Sequence, residues 1–168
     1  DWPGNVRELE AVVKRAMVRR RAGRVTAEGV VGSYIHAGGK IGVLIEVNCE
    51  TDFVARTDDF QQLVRGLAMQ VAAASPLYVS KDEIPAGEIE REREIYAAQA
   101  AQSGKPPQVI AKMVDGKVEK YVSEVCLLEQ EHIKEPGKSV RQIVTEAIGK
   151  LGENITVRRF VRFRLGEG

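Results

Sequence analysis

Apolar residues alternate with other residues at one place in the chain and recur at helical spacing in several others. In residues 40 to 49, Ile41, Val43, Ile45, Val47 and Cys49 alternate with Gly42, Leu44, Glu46 and Asn48. That period of two predicts a strand with one buried face. Residues 29 to 36 form its partner, joined through Ala37-Gly38-Gly39 as a β-hairpin. Residues 57 to 74 place Phe60, Leu63, Val64, Leu67, Ala68 and Val71 on one helical face. Thr57 is the expected N-cap, Asp58 and Asp59 suit the first turn, and Ser75-Pro76 ends the helix. Residues 139 to 151 repeat this design with Val140, Ile143, Val144, Ala147, Ile148 and Leu151. Ser139 and Gln142 there form a capping box, and Gly152 stops the helix. Residues 5 to 20 also read as a helix, with Val6, Leu9, Val12, Val13, Ala16 and Met17 on one face.

Two other stretches look different. Residues 86 to 102 are so polar that only Ile89, Tyr96 and Ala100 make an apolar seam. Glu88 with Arg91, and Glu90 with Arg93, are spaced for helical ion pairs. After the turn Ser103-Gly104-Lys105-Pro106, a second helical stretch runs from Pro107 to Cys126, with a break expected at Asp115-Gly116. The pair predicts a helical hairpin, residues 86 to 126, standing off the core. Residues 154 to 165 predict a last strand with Ile155, Val157, Val161, Phe163 and Leu165 on one face and Arg158, Arg162 and Arg164 on the other. Arg159 and Phe160 break the phase and mark a bulge. The sum is an α+β fold: a small antiparallel sheet packed by two amphipathic helices, a protruding helical hairpin and an N-terminal helix.

Composition narrows the chemistry. The chain has 168 residues, 43% hydrophobic and 29% charged, enough for one core without disulfides. No stretch approaches the ~20 apolar residues of a membrane span, and no charged-then-apolar leader opens the chain. The first residue, Asp1 rather than Met, suggests a truncated or processed start. Two cysteines, Cys49 and Cys126, and two histidines, His36 and His132, are too few for a zinc cluster or a catalytic triad, and read as half-buried reduced thiols and ordinary histidines. Phosphate loops of the GxxxxGK[ST] and GxGxxG kinds do not occur. No cofactor, metal or catalytic group is therefore expected. Residues 1 to 24 hold seven basic side chains against three acidic ones, leaving 18 against 21 in the rest. A mildly acidic body argues against a nucleic-acid partner. The cluster Arg19 to Arg24 suits a solvated helix end.

The informative segment is Asn48-Cys49-Glu50-Thr51-Asp52-Phe53-Val54-Ala55-Arg56, between the end of a buried strand and the start of a helix. Thr51 or Asp52 can cap a short helical turn there. Phe53 then either folds back as a core plug or projects as a wedge for a partner's pocket.

That run, together with Gly32-Ser33-Tyr34-Ile35-His36, Ile41 to Asn48, Ser103-Gly104-Lys105-Pro106, Leu127-Leu128-Glu129-Gln130, Gly152-Glu153-Asn154-Ile155 and Arg158-Arg159-Phe160, closely resembles the translation elongation factor Ts family. The resemblance covers about residues 25 to 168. It implies a cytoplasmic guanine-nucleotide exchange factor for elongation factor Tu. The turn Thr51, Asp52, Phe53 and Val54 would enter the partner's GTPase domain near its nucleotide. Phe53 would wedge between apolar and histidine side chains, displacing the elements that hold Mg²⁺ and phosphate, with Asp52 supporting the turn. The hairpin of residues 86 to 126 matches the family's coiled-coil protrusion. His36, Asn48 and Arg56 are further candidate contacts.

The family's usual N-terminal docking domain, with its Thr-Gly-Ala-Gly-Met-Met-type run, is not matched. Trp2-Pro3-Gly4-Asn5-Val6-Arg7-Glu8-Leu9-Glu10 instead resembles the end of the ATPase domain of bacterial enhancer-binding transcription activators. The Walker motifs of that domain are missing, so Arg7 receives no nucleotide-sensing role. Residues 1 to 24 accordingly read as a foreign or fused helix, and weakened exchange is expected. A DNA-linked regulator fragment and an inactive chimera stand as alternatives. Resemblance to short family members implies a homodimer through the sheet and a two-plus-two complex. The cysteine of those members' C-terminal strand is not evident here, Val161 lying in that region, so no intersubunit disulfide is expected.

Overall fold

A computed structural model of the chain describes residues 28–167. The predicted helix at residues 5 to 20 and the basic cluster at Arg19 to Arg24 lie outside the described residues. The alternating segment forms β2 (Ile41–Cys49), paired antiparallel with β1 (Glu28–Ile35) on one side and β3 (Thr156–Arg164) on the other. Val43, Ile45, Val47 and Cys49 are buried, as the period of two requires.

Against that face lie the short α1 (Asp52–Ala55) and then α2 (Asp58–Ala74). The Thr57 hydroxyl accepts from Phe60 N, and the helix ends at Ser75 in a left-handed conformation ahead of Pro76. Phe60, Val64, Leu67, Ala68 and Val71 join the strand residues in one core. The fit is tight at Gly32 of β1. A Cβ built there would lie 2.3 Å from Val64 Cγ1, so the helix approaches the sheet where a side chain is missing. α5 (Val140–Leu151, numbered after the two helices described next) closes the core with Val140 and Val144. Its capping box is formed as expected, with the Ser139 hydroxyl accepting from Gln142 N and the Gln142 side-chain Oε1 accepting from Ser139 N. Inside this layer Gln70 is fully buried but satisfied: its amide donates to Gln130 Oε1 and the Glu131 carbonyl, and its Oε1 accepts from Ile133 N.

α3 (Ala86–Ala101) and α4 (Pro107–Val125) form the hairpin. They share their own seam of Ala100, Val114 and Val118, flanked by Ile89, Tyr96, Ala97 and Ile110 and separate from the main core. Two expectations are corrected here. α4 runs through Asp115-Gly116 without a break. A glycine costs a helix only about 1 kcal/mol against Ala, and flanking residues Val114 and Val118 are buried in the seam. The ion pairs Glu88–Arg91 and Glu90–Arg93 do not close. Glu88 instead accepts from the hydroxyls of Tyr78 (2.7 Å) and Tyr121, and Arg93 pairs with Asp115 across the hairpin at 2.6 Å. Tertiary partners at the seam outcompete exposed pairs worth only tenths of a kcal/mol.

The third correction concerns β3. Glu46 faces Arg159, but Val47 faces Val157, so Arg158 is an extra residue opposite this step. A bulge is therefore present, but its effect on the faces was misread. Each residue beyond it changes side. Phe160 packs on the core and the Arg162 side chain turns inward, 10% exposed, donating to the Ala72 carbonyl. Val161, Phe163 and Leu165 therefore do not share the buried face of Ile155 and Val157. Phe163 and Leu165 are exposed, as are Val31, Ile35 and Leu44. Both thiols are free, and both are buried rather than half-buried.

Candidate functional site

At the C-terminal end of β2 the chain leaves the sheet and tightens at once into α1. Thr51 is the cap: its backbone is extended and its hydroxyl accepts from Val54 N at 3.3 Å. Cys49 Sγ donates to the Thr51 carbonyl at 3.2 Å. Burial pushes the Cys49 thiol pKa up, with the Glu153 charge adding to the effect. Val54 and Ala55 point inward and are buried. The Val54 carbonyl accepts from the Thr57 hydroxyl at 2.7 Å, and the Ala55 carbonyl from Gln61 Nε2 at 2.7 Å. α1 is thus fastened to the first turn of α2.

Phe53 is 81% exposed. The ring is therefore not a core plug: it stands in solvent. Asp52 beside it forms an exposed i,i+4 pair with Arg56 at 2.5 Å, a contact worth at most about 1 kcal/mol in solvent.

A partner of the turn that sequence reading missed comes from the loop between α5 and β3. One carboxylate oxygen of Glu153 accepts from Glu50 N (3.1 Å) and Thr51 N (3.0 Å), and the other accepts from the Thr51 hydroxyl. In return Glu50 Oε1 accepts from Asn154 N at 2.9 Å. The only signal in the sequence was an acidic residue directly after the expected helix stop Gly152, which has φ 72.

The remaining candidates are dispersed. Asn48 sits on the outer face of β2 near the turn, its amide 3.4 Å from Glu46 Oε1. His36 follows β1 at the opposite end of the sheet, its ring nitrogen 3.0 Å from the Tyr34 hydroxyl. At ~3.3 Å per residue along β2, this puts it roughly 25 Å from the turn. The structure therefore unites Thr51, Asp52, Phe53, Val54 and Arg56, keeps Asn48 at the margin, and does not bring His36 to them.

Among the described residues no three His, Cys, Asp or Glu side chains converge to hold a metal ion, and no helix is long and apolar enough to cross a membrane. What the turn offers is an outward aromatic ring on a helical turn anchored from within, flanked in sequence by the Asp52–Arg56 pair.

Comparison with known proteins identifies the relatives of this arrangement. A family model described as Elongation factor TS matches residues 4–167. Proteins named Elongation factor Ts align over 153 residues, 91% of this chain. The one from Heliobacterium modesticaldum is 59% identical over 71% of its own length. Those from Geobacter sulfurreducens and Carboxydothermus hydrogenoformans are 57% and 58% identical over 71% and 70% of theirs.

Proposed function

The chain belongs to the elongation factor Ts family, and we propose that it promotes GDP release from elongation factor Tu by inserting the turn Thr51–Val54 beside that GTPase's Mg²⁺ and nucleotide. It is a guanine-nucleotide exchange factor of translation elongation. The observation that carries the insertion reading is the exposed Phe53 ring on a turn whose other apolar residues are anchored inward. A wedge must be stiff to transmit force. Val54, Ala55 and the Thr57 and Gln61 hydrogen bonds supply that stiffness.

Mg²⁺ needs a near-ideal octahedral shell, so moving its ligands or the phosphate contacts slightly loosens the nucleotide. A factor that binds the nucleotide-free GTPase more tightly than the GDP form weakens GDP by the same factor, by linkage. The factor itself makes and breaks no bond, so it is not an enzyme in the chemical sense. The reading as a DNA-linked regulator fragment is not favoured, since the family match spans nearly the whole chain.

A homodimer, hence a two-plus-two complex, is the accompanying proposal. Its support is the outer sheet face, where Val31, Ile35, Leu44, Phe163 and Leu165 are exposed. Ile35 and Phe163 flank Gly42, whose Cβ would meet Ile35 Cδ1 at 3.0 Å, and Leu44 pairs with Val161 next to them, so apolar side chains cluster toward one end of this face. The cytoplasm, where translation runs, is the proposed site of action. Residues 25 to 168 are proposed as the core, with residues 86 to 126 as its hairpin, and the family match already begins at residue 4.

The test is release of a fluorescent GDP analogue from elongation factor Tu with the full chain. Acceleration is expected, and Phe53→Ala should lower it about thirtyfold or more, the loss of a central anchor of 2 kcal/mol or above. No acceleration by the intact chain, or full acceleration by F53A, overturns the reading.

A further inference from the structure

The turn that bears Phe53 is too short to hold its own direction. α1 is four residues long, and an isolated helix of that length is far below what propagation can sustain. Its orientation must be imposed from outside. Inward, Val54 and Ala55 fix its depth. Its entry, at Glu50 and Thr51, is fixed by one side chain from the far end of the sequence. The Glu153 carboxylate takes both backbone N–H groups and the Thr51 hydroxyl, and the same hydroxyl accepts from Val54 N. Donating to Glu153 orients the hydroxyl's lone pairs toward the α1 amide. The Glu50 carboxylate returns the link to Asn154 N.

Glu153 is itself placed by the fold. Gly152 ends α5 with φ 72, a left-handed residue that swings the chain toward the end of β2, and Ile155 then re-enters the core, 4% exposed. The clamp thus ties the turn to a helix end and to the start of β3, both rigid parts of the frame.

We propose that Glu153 is a positioning residue for nucleotide exchange: it sets the angle at which Phe53 leaves the surface and touches neither GDP nor Mg²⁺. The proposal rests on the insertion reading above. It separates two properties that simple loss of structure would move together. Without the carboxylate the ring is still present and the docking surface unchanged, so the factor binds at nearly the same concentration. The bound complex, however, releases GDP slowly because the ring is misaimed.

The experiment measures GDP release from elongation factor Tu over a range of factor concentrations for the full chain, E153A, E153Q, F53A and F53A/E153A. Thermal unfolding is recorded for each. E153A is expected to lower the maximal release rate about ten- to a hundredfold, the scale of an ångström-level misplacement, with the half-saturating concentration within about twofold of the parent. E153Q keeps one carbonyl oxygen able to accept both backbone N–H groups, so it should recover most of the rate. In the F53A background, E153A should change little, because the two residues act as one unit.

An E153A rate equal to the parent overturns the proposal. So does an equal fold-loss in the presence and absence of Phe53, or an E153A defect confined to half-saturation or to the melting temperature. F53A at parental speed overturns the insertion reading and this proposal with it. Slow F53A with fast E153A overturns the clamp alone.

Discussion

Replacing Gly32 by Ala puts a methyl carbon 2.3 Å from Val64 Cγ1, where carbon atoms ordinarily rest ~3.5–4.0 Å apart. The shortfall exceeds about 1 Å. Val64 cannot swing clear: it is buried in the middle of α2, and a β-branched side chain in a helix has one strongly preferred rotamer. The helix must therefore back away from the sheet along a face shared with Phe60, Leu67 and Ala68. Overpacking of this kind costs about 1–3 kcal/mol, of which about 0.5–1 kcal/mol is returned because Ala loses less chain entropy than Gly in a strand. A net loss of about 1–2 kcal/mol lowers the melting temperature by roughly 2–8 °C in a domain of this size. Thermal and urea unfolding followed by circular dichroism read it directly. The decisive comparison is with Val64→Ala, which removes the clashing methyl and leaves a small void costing about 2 kcal/mol. In G32A/V64A the new methyl fills that void, so the double variant should be at least about 1 kcal/mol more stable than the sum of the singles. Additivity within about 0.5 kcal/mol would refute the idea that this glycine exists to admit the helix.

Other outcomes are equally open to measurement. Leu44→Lys or Phe163→Glu, placed on the exposed outer strip, should convert a dimer to a monomer in sedimentation equilibrium while leaving the melting of the monomer within about 0.5 kcal/mol of the parent; an unchanged mass would exclude that face as the seam. Burial pushes the His132 pKa below its ordinary 6.5, with Lys134 and Lys138 adding and Glu135 opposing. Between the folded and unfolded values the unfolded chain binds more protons, so stability is present above 6.5 and falls as pH drops through that window; the slope of melting temperature against pH should flatten in H132Q. The Cys126 thiol is fully buried and pushed up to about 11 by that burial, so alkylation at pH 8 should be slow in the native chain and fast in denaturant.

How far the sequence discloses this fold depends on how local each cause is. The capping box at Ser139 and Gln142, the cap at Thr57 and the alternation of β2 are written within a few residues, and each forms as read. The bulge is local too, but its consequence is not. Arg158 shifts the register by one residue, and from there the pleat carries Phe160 and Arg162 inward and Val161, Phe163 and Leu165 outward. Reading through the bulge with unbroken parity hides an inward arginine that Glu167 and the Ala72 carbonyl satisfy. It also hides the apolar outer strip, the strongest support for self-association. Glu88 shows the same limit: its sequence neighbours offered Arg91, while the fold offered two tyrosine hydroxyls from Tyr78 and Tyr121.

The outward direction of Phe53 follows from helical geometry once its neighbours are known. Successive residues of a helix are turned by about 100°. If Val54 and Ala55 straddle the direction of the core, that direction lies midway between them, and Phe53 stands about 150° away from it. A buried ring at this position would require Val54 and Ala55 to face solvent instead, exchanging two anchors for one. The chain resolves the choice through the pattern Thr51-Asp52-Phe53-Val54-Ala55, in which the cap and the acid favour the first turn and the last two residues fill the space beside β2. The four residues of α1, Asp52–Ala55, thus do two things with opposite faces. Inward burial makes the turn part of the core, and that burial obliges the largest apolar group to stand in water. An exposed ring contributes little to folding, so its replacement by Ala should leave unfolding within about 0.5 kcal/mol of the parent while release of GDP falls. Loss of stability on the scale of a buried Phe→Ala change, about 3–5 kcal/mol, would mean that the ring is packed within its own chain and that the turn has no wedge to offer.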